Sequence, residues 1–288
     1  TIVPSPDLVK SFYGITYTPL NAQYPECGGS LGDVIEDIKV LSQLTTRLRL
    51  YGMDCDQASH TLEAIKQLKV DMKIVVTIWV DENPVTYKRQ YDLFWKLLKD
   101  YNTDNILGVS VGNEAIFRKE SNATDLGARM SDVRSQLKAR GFATMPVFTT
   151  DLGDNFKADL ISESDEAWAN VHPFFAGINV SEGATWTWDF YERFIGKPAR
   201  SAGKKGIISE TGWPTKGEAK QNAIPSRDGL QRFLDDFVCQ TNAKGIPYYF
   251  FEAFDAPWKV AKFTELEGNW GILTKDRKPK AKFPKCSS

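Results

Sequence analysis

Lys73-Ile74-Val75-Val76-Thr77-Ile78-Trp79 is a β-branched, apolar run in which polar and apolar positions do not alternate. A strand wetted on one face alternates. A strand covered on both faces does not, so this run reads as a parallel strand of an α/β fold. Working outward, seven further runs share its character: Phe12–Thr18, Thr46–Tyr51, Leu107–Asn113, Val147–Asp151, Ala169–His172, Gly206–Glu210 and Pro247–Glu252. Helical-period segments separate them. Leu31–Leu44 places Val34, Ile38 and Leu41 on one face, and Arg227–Lys244 places Leu230, Phe233 and Phe237 on one stripe. Strand ends at Tyr17, Tyr51, Trp79, Glu114, Asp151, His172, Glu210 and Glu252 fall 21 to 42 residues apart, the room one βα unit needs. Eight units predict an α/β fold of the closed (β/α)8 TIM-barrel type, because a doubly wound sheet usually stops at about five to seven strands. No Pro/Gly/Ser-rich linker interrupts the alternation, so residues 1–288 read as one domain.

Composition removes several classes of function. The 288 residues carry 36 Lys plus Arg against 37 Asp plus Glu, a formal charge of −1. Phosphate binding calls for a basic excess, so no nucleic-acid partner is expected. The apolar stretch 74–80 falls far short of the ~18 residues that span a bilayer, so no membrane span is expected. A chain of this size buries roughly three quarters of its unfolded surface and needs no metal to hold its core. A monomer is expected. The basic stretch 275–285, broken by Pro279 and Pro284, reads as a solvated tail.

The chain opens at Thr1-Ile2-Val3-Pro4 without a signal-peptide pattern, which fits either a removed leader or a trimmed chain. Cys27, Cys55, Cys239 and Cys286 contain no Cys-x-x-Cys pair, which argues against zinc and thioredoxin-like chemistry. An even number of widely spaced cysteines fits two disulfides in a secreted protein. Three connectivities are possible; Cys27–Cys55 and Cys239–Cys286 suit the positions best, and four buried thiols are the alternative. Asn122-Ala-Thr and Asn179-Val-Ser are glycosylation sequons, the first in a polar loop and the second expected to be buried.

In a (β/α)8 barrel the chemistry stands at the C-terminal strand ends. Here carboxylates and aromatics occupy them. The only histidines are His60, expected on a helix surface, and His172, at the sixth strand end, which is too few for a metal centre or a Ser-His pair. Gly28-Gly29-Ser30-Leu31-Gly32 lacks the Gly-Lys-Ser/Thr ending of a phosphate loop and reads as a turn before a helix. The informative pair is Glu114, closing Val109-Ser110-Val111-Gly112-Asn113-Glu114, and Glu210, closing Ile207-Ile208-Ser209-Glu210. A carboxylate ending a buried strand is costly without a task or a partner. Two facing one barrel mouth suit glycoside hydrolysis, one to protonate the leaving oxygen and one to attack. A separation of ~5–5.5 Å and retention of configuration are expected. Nearby Trp and Tyr rings offer the faces on which sugars stack.

At these residues the chain resembles glycoside hydrolase family seventeen, the β-1,3-glucan-active enzymes of plants and fungi. The signature is Ile208-Ser209-Glu210-Thr211-Gly212-Trp213-Pro214-Thr215, with Val111-Gly112-Asn113-Glu114 in support. Arg49-Leu50-Tyr51, Asn170-Val171-His172-Pro173-Phe174-Phe175, Phe254-Asp255 and Asn269-Trp270-Gly271 extend it over nearly the whole chain. The resemblance implies Glu114 as general acid/base and Glu210 as nucleophile, with Asn113 bonding the sugar 2-hydroxyl. It implies Tyr17 and Tyr51 in the cleft floor, Phe175 on the leaving-group side, and Lys259 and Glu267 as charged neighbours of the pair. The plant pattern carries a further Glu where this chain has Ala256, and Glu252 is expected to compensate. Trp213 is counted with the substrate-binding residues, and Trp186, Trp188 and Phe175 are candidates for an acceptor platform. For Trp188, packing between helix and barrel is an equal expectation.

Phe251-Glu252-Ala253-Phe254-Asp255 and the compact sixth-strand region resemble the fungal cell-wall branch. That branch implies a secreted, extracellular or cell-wall enzyme without cofactor, acting on β-1,3-glucan or its oligosaccharides. It would cut internal bonds through a glycosyl-enzyme and pass the glucan to a sugar acceptor or to water. A strict endo-β-1,3-glucanase, a glycosidase for another β-linkage and a non-catalytic carbohydrate-binding barrel are the alternatives. The last predicts loss of a carboxylate, and both are present.

Overall fold

The computed structural model describes residues 1–287. Eight parallel strands close a barrel in sequence order: β1 (Ile15–Thr16), β2 (Arg47–Arg49), β3 (Lys73–Ile78), β4 (Ile106–Asn113), β5 (Val147–Leu152), β6 (Ala167–Asn170), β7 (Gly206–Thr211) and β8 (Tyr248–Phe250). Around them pack α1 (Leu31–Leu41), α2 (Gln57–Leu68), α3 (Pro84–Asp100), α4 (Ala123–Ala139), α5 (Ala158–Glu163), α6 (Val180–Tyr191), α7 (Lys197–Ser201), α8 (Arg227–Ala243) and α9 (Pro257–Lys262). The fold is the expected (β/α)8 barrel.

Local chemistry starts the helices where they start. Ser30 caps α1, its Oγ accepting the Asp33 N–H at 3.1 Å, so the glycine-rich stretch leads into a helix and supplies its first residues. Ser226 caps α8 in the same way, accepting the Gly229 N–H at 2.8 Å. The stripes Val34, Ile38, Leu41 and Leu230, Phe233, Phe237 are buried. Each such side chain contributes about 1.5–3 kcal/mol when removed from water.

Inside the barrel, Val75, Phe148, Trp168, Ile207 and Tyr249 form an apolar plug, with Phe148 and Trp168 stacked at 4.2 Å. Side chains two residues apart on a strand share a face. The next axial layer from Phe148, Trp168 and Ile207 is therefore Thr150, Asn170 and Ser209, all buried. The interior thus changes from apolar to polar in one step toward the C-terminal mouth.

Several expectations are corrected. The ladders of β1, β2 and β8 are only two or three residues long, although single bonds extend them, such as Tyr17 N–H to the Arg49 carbonyl at 2.8 Å. Strand β6 begins two residues early because Trp168 belongs to the plug, and His172 falls in the loop beyond it. The stretch 275–285 is docked rather than solvated. Arg277 Nε donates to Asp37 at 2.8 Å, Lys280 Nζ donates to Asp255 at 2.7 Å, and Phe283 packs on Phe12. Arg277 and Lys280 find the buried Asp37 and the half-buried Asp255, which is why the stretch does not float. Asn179 is exposed, since it caps α6 by accepting the Ser181 N–H; Asn122 is exposed and caps α4. Disulfides join Cys27 to Cys55 and Cys239 to Cys286. Among the described residues no helix is long and apolar enough to cross a membrane.

Candidate active site

Glu210 stands on β7, buried at the C-terminal mouth. Its Oε2 accepts from Tyr51 Oη at 2.6 Å and Arg49 Nη1 at 3.2 Å, while Oε1 lies 2.9 Å from His172 Nε2. Burial pushes this carboxyl upward, but the His172 hydrogen bond, the Arg49 charge and the Tyr51 hydroxyl outweigh it and leave it below the usual range. It is built to stay ionised.

Arg49 organises the polar layer. The guanidinium is fully buried, and its Nη2 donates to Asn113 Oδ1 at 2.8 Å and Thr150 Oγ1 at 2.9 Å. Nη1 also reaches the Ser209 carbonyl at 3.0 Å. A fixed fork of donors suits this multi-strand junction better than a lysine would.

Glu114 follows β4 immediately and holds a left-handed backbone, φ 55°. That conformation is costly for a residue with a side chain. It is fixed by the Glu114 N–H donating to the Thr150 carbonyl at 2.8 Å, and Arg118 donates to the carbonyls of Asn113 and Val80. Asn170 Nδ2 donates to Glu114 Oε1 at 2.9 Å. Burial first, and then the negative charge of Glu210, raise this carboxyl to about 7. Below about pH 7 one cleft therefore holds a protonated carboxyl and an ionised one. Together they can protonate a leaving oxygen and attack or activate from the other side.

Both carboxyls open into a cleft of about 1180 Å³. Tyr51, Asn113, Phe175, Trp186, Lys259 and Glu267 line it with them, as does Trp79 under the Arg118 guanidinium at 4.4 Å. Glu252 is buried beside it and paired with Lys259 at 3.0 Å; burial raises its carboxyl and the lysine opposes that. Asn113 Oδ1 collects Arg49, Thr150 and Asn170.

Two expected substrate-binding residues lie elsewhere. Tyr17 is fully buried, its hydroxyl donating to Asp37 on α1 at 2.6 Å. Trp213 is fully buried, with Nε1 donating to the Ile224 carbonyl at 3.1 Å and its ring edge-on to Phe174. Each polar tip is satisfied inside the protein, which lets the ring serve as core. Trp188 likewise packs parallel to Phe237 and donates to Thr241. Sequence reasoning missed Arg49, Asn170 and the contact of His172 with Glu210. The signal for Arg49 was a charge set between two leucines, in a strand that also carries Arg47.

A second cavity, about 920 Å³, opens at the other end of the barrel beside Arg47, Trp168 and Tyr249. Trp168 lies there between Phe148 and Tyr249, so its faces are occupied.

The sequence model of the BtgE/BtgC glycoside hydrolase domain matches residues 14–271. Proteins named probable glucan endo-1,3-beta-glucosidase btgC are similar in Aspergillus flavus, 38% identical over 99% of this chain and 45% of the relative, and in Aspergillus fumigatus, 40% identical over 97% and 44%. The chain thus spans under half the length of these curated relatives. Among solved structures, a glycoside hydrolase family 17 β-1,3-glucanosyltransferase from Rhizomucor miehei superposes with a TM-score of 0.83 at 27% identity, over 95% of this chain and 97% of that one.

Proposed function

The chain belongs to the BtgE/BtgC glycoside hydrolase family, and from that premise we propose that it is a retaining enzyme that cleaves internal β-1,3-glucosidic bonds and transfers the glucan to a sugar acceptor or to water. The observation that carries the reading is the contrast between its two cleft carboxyls. Glu114 is raised to about 7 by burial and the adjacent charge, while Glu210 is held ionised by His172, Arg49 and Tyr51.

Glu114 donates its proton to the glycosidic oxygen as a Glu210 oxygen attacks the anomeric carbon. The carbon–oxygen bond to the leaving sugar breaks and a glycosyl-enzyme forms. Glu114, now a carboxylate, takes the proton of the incoming hydroxyl, which displaces Glu210 and restores both groups. Asn113 supports the sugar beside the nucleophile. Tyr51, Glu252, Lys259 and Glu267 shape the same cleft.

Transfer is favoured by aromatic surface beside the pair: Phe175 is 40% exposed and Trp186 lines the cleft. The Rhizomucor miehei protein is itself named a glucanosyltransferase. Predominant hydrolysis is the second reading, supported by the endo-glucosidase names of the Aspergillus relatives. We read residues 1–288 as one catalytic unit acting as a monomer. Two disulfides favour an extracellular or cell-wall setting.

Mass spectrometry of products from a short linear β-1,3-gluco-oligosaccharide, over time and at rising concentration, tests this. Products longer than the substrate are expected. Only shorter products at every concentration would remove transfer and leave the hydrolase, and no turnover would remove both.

A further inference from the structure

His172 is enclosed in a way that its position in the sequence does not disclose. The side chain is 7% exposed, and its ring meets Trp270 at 5.1 Å, Phe251 at 5.6 Å and Phe175 at 5.8 Å, all edge-on. Nε2 points at Glu210 Oε1, 2.9 Å away, and Nδ1 is buried with no hydrogen-bond partner. These contacts show which imidazole nitrogen carries a proton. With the proton on Nδ1, the Nε2 lone pair would face a carboxylate. A proton on Nε2 donates where the acceptor is.

Glu210 has two oxygens with separate attendants. Arg49 and Tyr51 hold Oε2, and His172 meets Oε1. We propose that His172 is a positioning residue for Glu210, an Nε2–H donor that fixes one carboxylate oxygen while Arg49 and Tyr51 fix the other. This rests on the reading of Glu210 as the nucleophile. As the glycosyl ester forms, charge leaves Glu210; as the ester breaks, charge returns, and a donor already aimed at Oε1 receives it without rearrangement.

The charged and titratable groups around the imidazole are few. Glu210 is on β7, Arg49 and Tyr51 lie on and after β2, and Glu114 lies beyond Asn170 after β4. Glu252 with Lys259 stands on the side of Phe251, and Lys220 lies 5.8 Å from the Phe175 ring. Among these the direct contact is with Glu210, so loss of the imidazole should act on the acid side of the activity profile, where Glu210 takes up a proton.

The test uses His172→Phe, which fills the aromatic box without a donor, and His172→Gln, which keeps an amide donor that does not titrate. The pH dependence of kcat/KM on a β-1,3-gluco-oligosaccharide is measured for both and for the parent protein. The Phe variant should move the acid limb upward by about 1 pH unit, and the Gln variant should return it toward the parent position. Imidazole ¹⁵N spectra of the parent protein, assigned with His60→Gln, should show a protonated Nε2 across the active range. An acid limb unmoved in both variants, or a bare Nε2 with the proton on Nδ1, overturns the proposal. If the Phe variant does not fold, the Gln profile and the parent's ¹⁵N spectrum decide. A parent protein without activity on the substrate would count against the functional reading instead, and the ¹⁵N result would still judge the tautomer.

Discussion

Arg49 Nη1 lies 3.2 Å from Glu210 Oε2 with both side chains withdrawn from water, 0% and 7% exposed. A buried pair of this kind adds little net stability when whole, because desolvation offsets attraction, yet breaking it leaves an uncompensated charge. Arg49→Met should therefore destabilise the fold by about 3–5 kcal/mol, since Asn113, Thr150 and Glu210 all lose a donor. Denaturant unfolding at neutral pH measures this. A change below ~1 kcal/mol would mean that water replaces the guanidinium without loss.

Glu210→Ala should abolish turnover, with a fall of at least ~10³-fold in kcat. Added azide or formate could then attack from the vacated side and yield products of inverted configuration. Near-parent rates in the variant would rule out the assignment of the nucleophile.

Glu114→Gln should lower kcat by about 10²–10⁴-fold on natural glucan and much less on aryl glucosides, whose leaving groups need no proton. Equal losses on both would argue that Glu114 does not donate the proton.

The pH profile follows from the same two groups. Glu114 must enter the reaction protonated, so activity should fall as pH rises through about 7. Glu210 must enter ionised, and its carboxyl is depressed, so activity should fall on the acid side only below the ordinary carboxylate range. The stability signs are opposite. The raised Glu114 contributes stability that is present below its unfolded value and lost as pH rises through about 7, whereas the depressed Glu210 contributes stability lost on acidification. Glu114→Gln should accordingly flatten the decline of thermal stability between pH 5 and pH 8, which a series of melts would read.

Trp186→Ala and Phe175→Ala test the acceptor platform. Both should lower the ratio of transfer to hydrolysis several-fold, with smaller loss of total bond cleavage, since each stacked ring contributes on the order of 1 kcal/mol. Parallel loss of both activities would place these rings in general substrate binding.

The barrel was legible because its strands carry a continuous apolar pattern at a spacing that admits one helix each, and Glu114 and Glu210 stood out as charges ending such strands. What escaped reading depended on partners distant in sequence. Tyr17 and Trp213 looked like cleft residues, but Asp37 on α1 and the Ile224 carbonyl satisfy their polar tips in the interior. Nothing local to either residue announces that. The docked stretch 275–285 is similar, since Asp37 and Asp255 decide it from far away. Arg49 was different: an arginine between Leu48 and Leu50 at the C-terminal end of a strand that also carries Arg47 marks a polar layer.

The most direct measurement is proton NMR of the first anomeric signals released from a β-1,3-gluco-oligosaccharide, recorded before mutarotation. The account predicts that newly formed reducing ends appear as the β-anomer, because Glu210 attacks and is then displaced on the same carbon. Initial α-anomer would contradict it, showing a single displacement by water and removing the glycosyl-enzyme on which transfer depends.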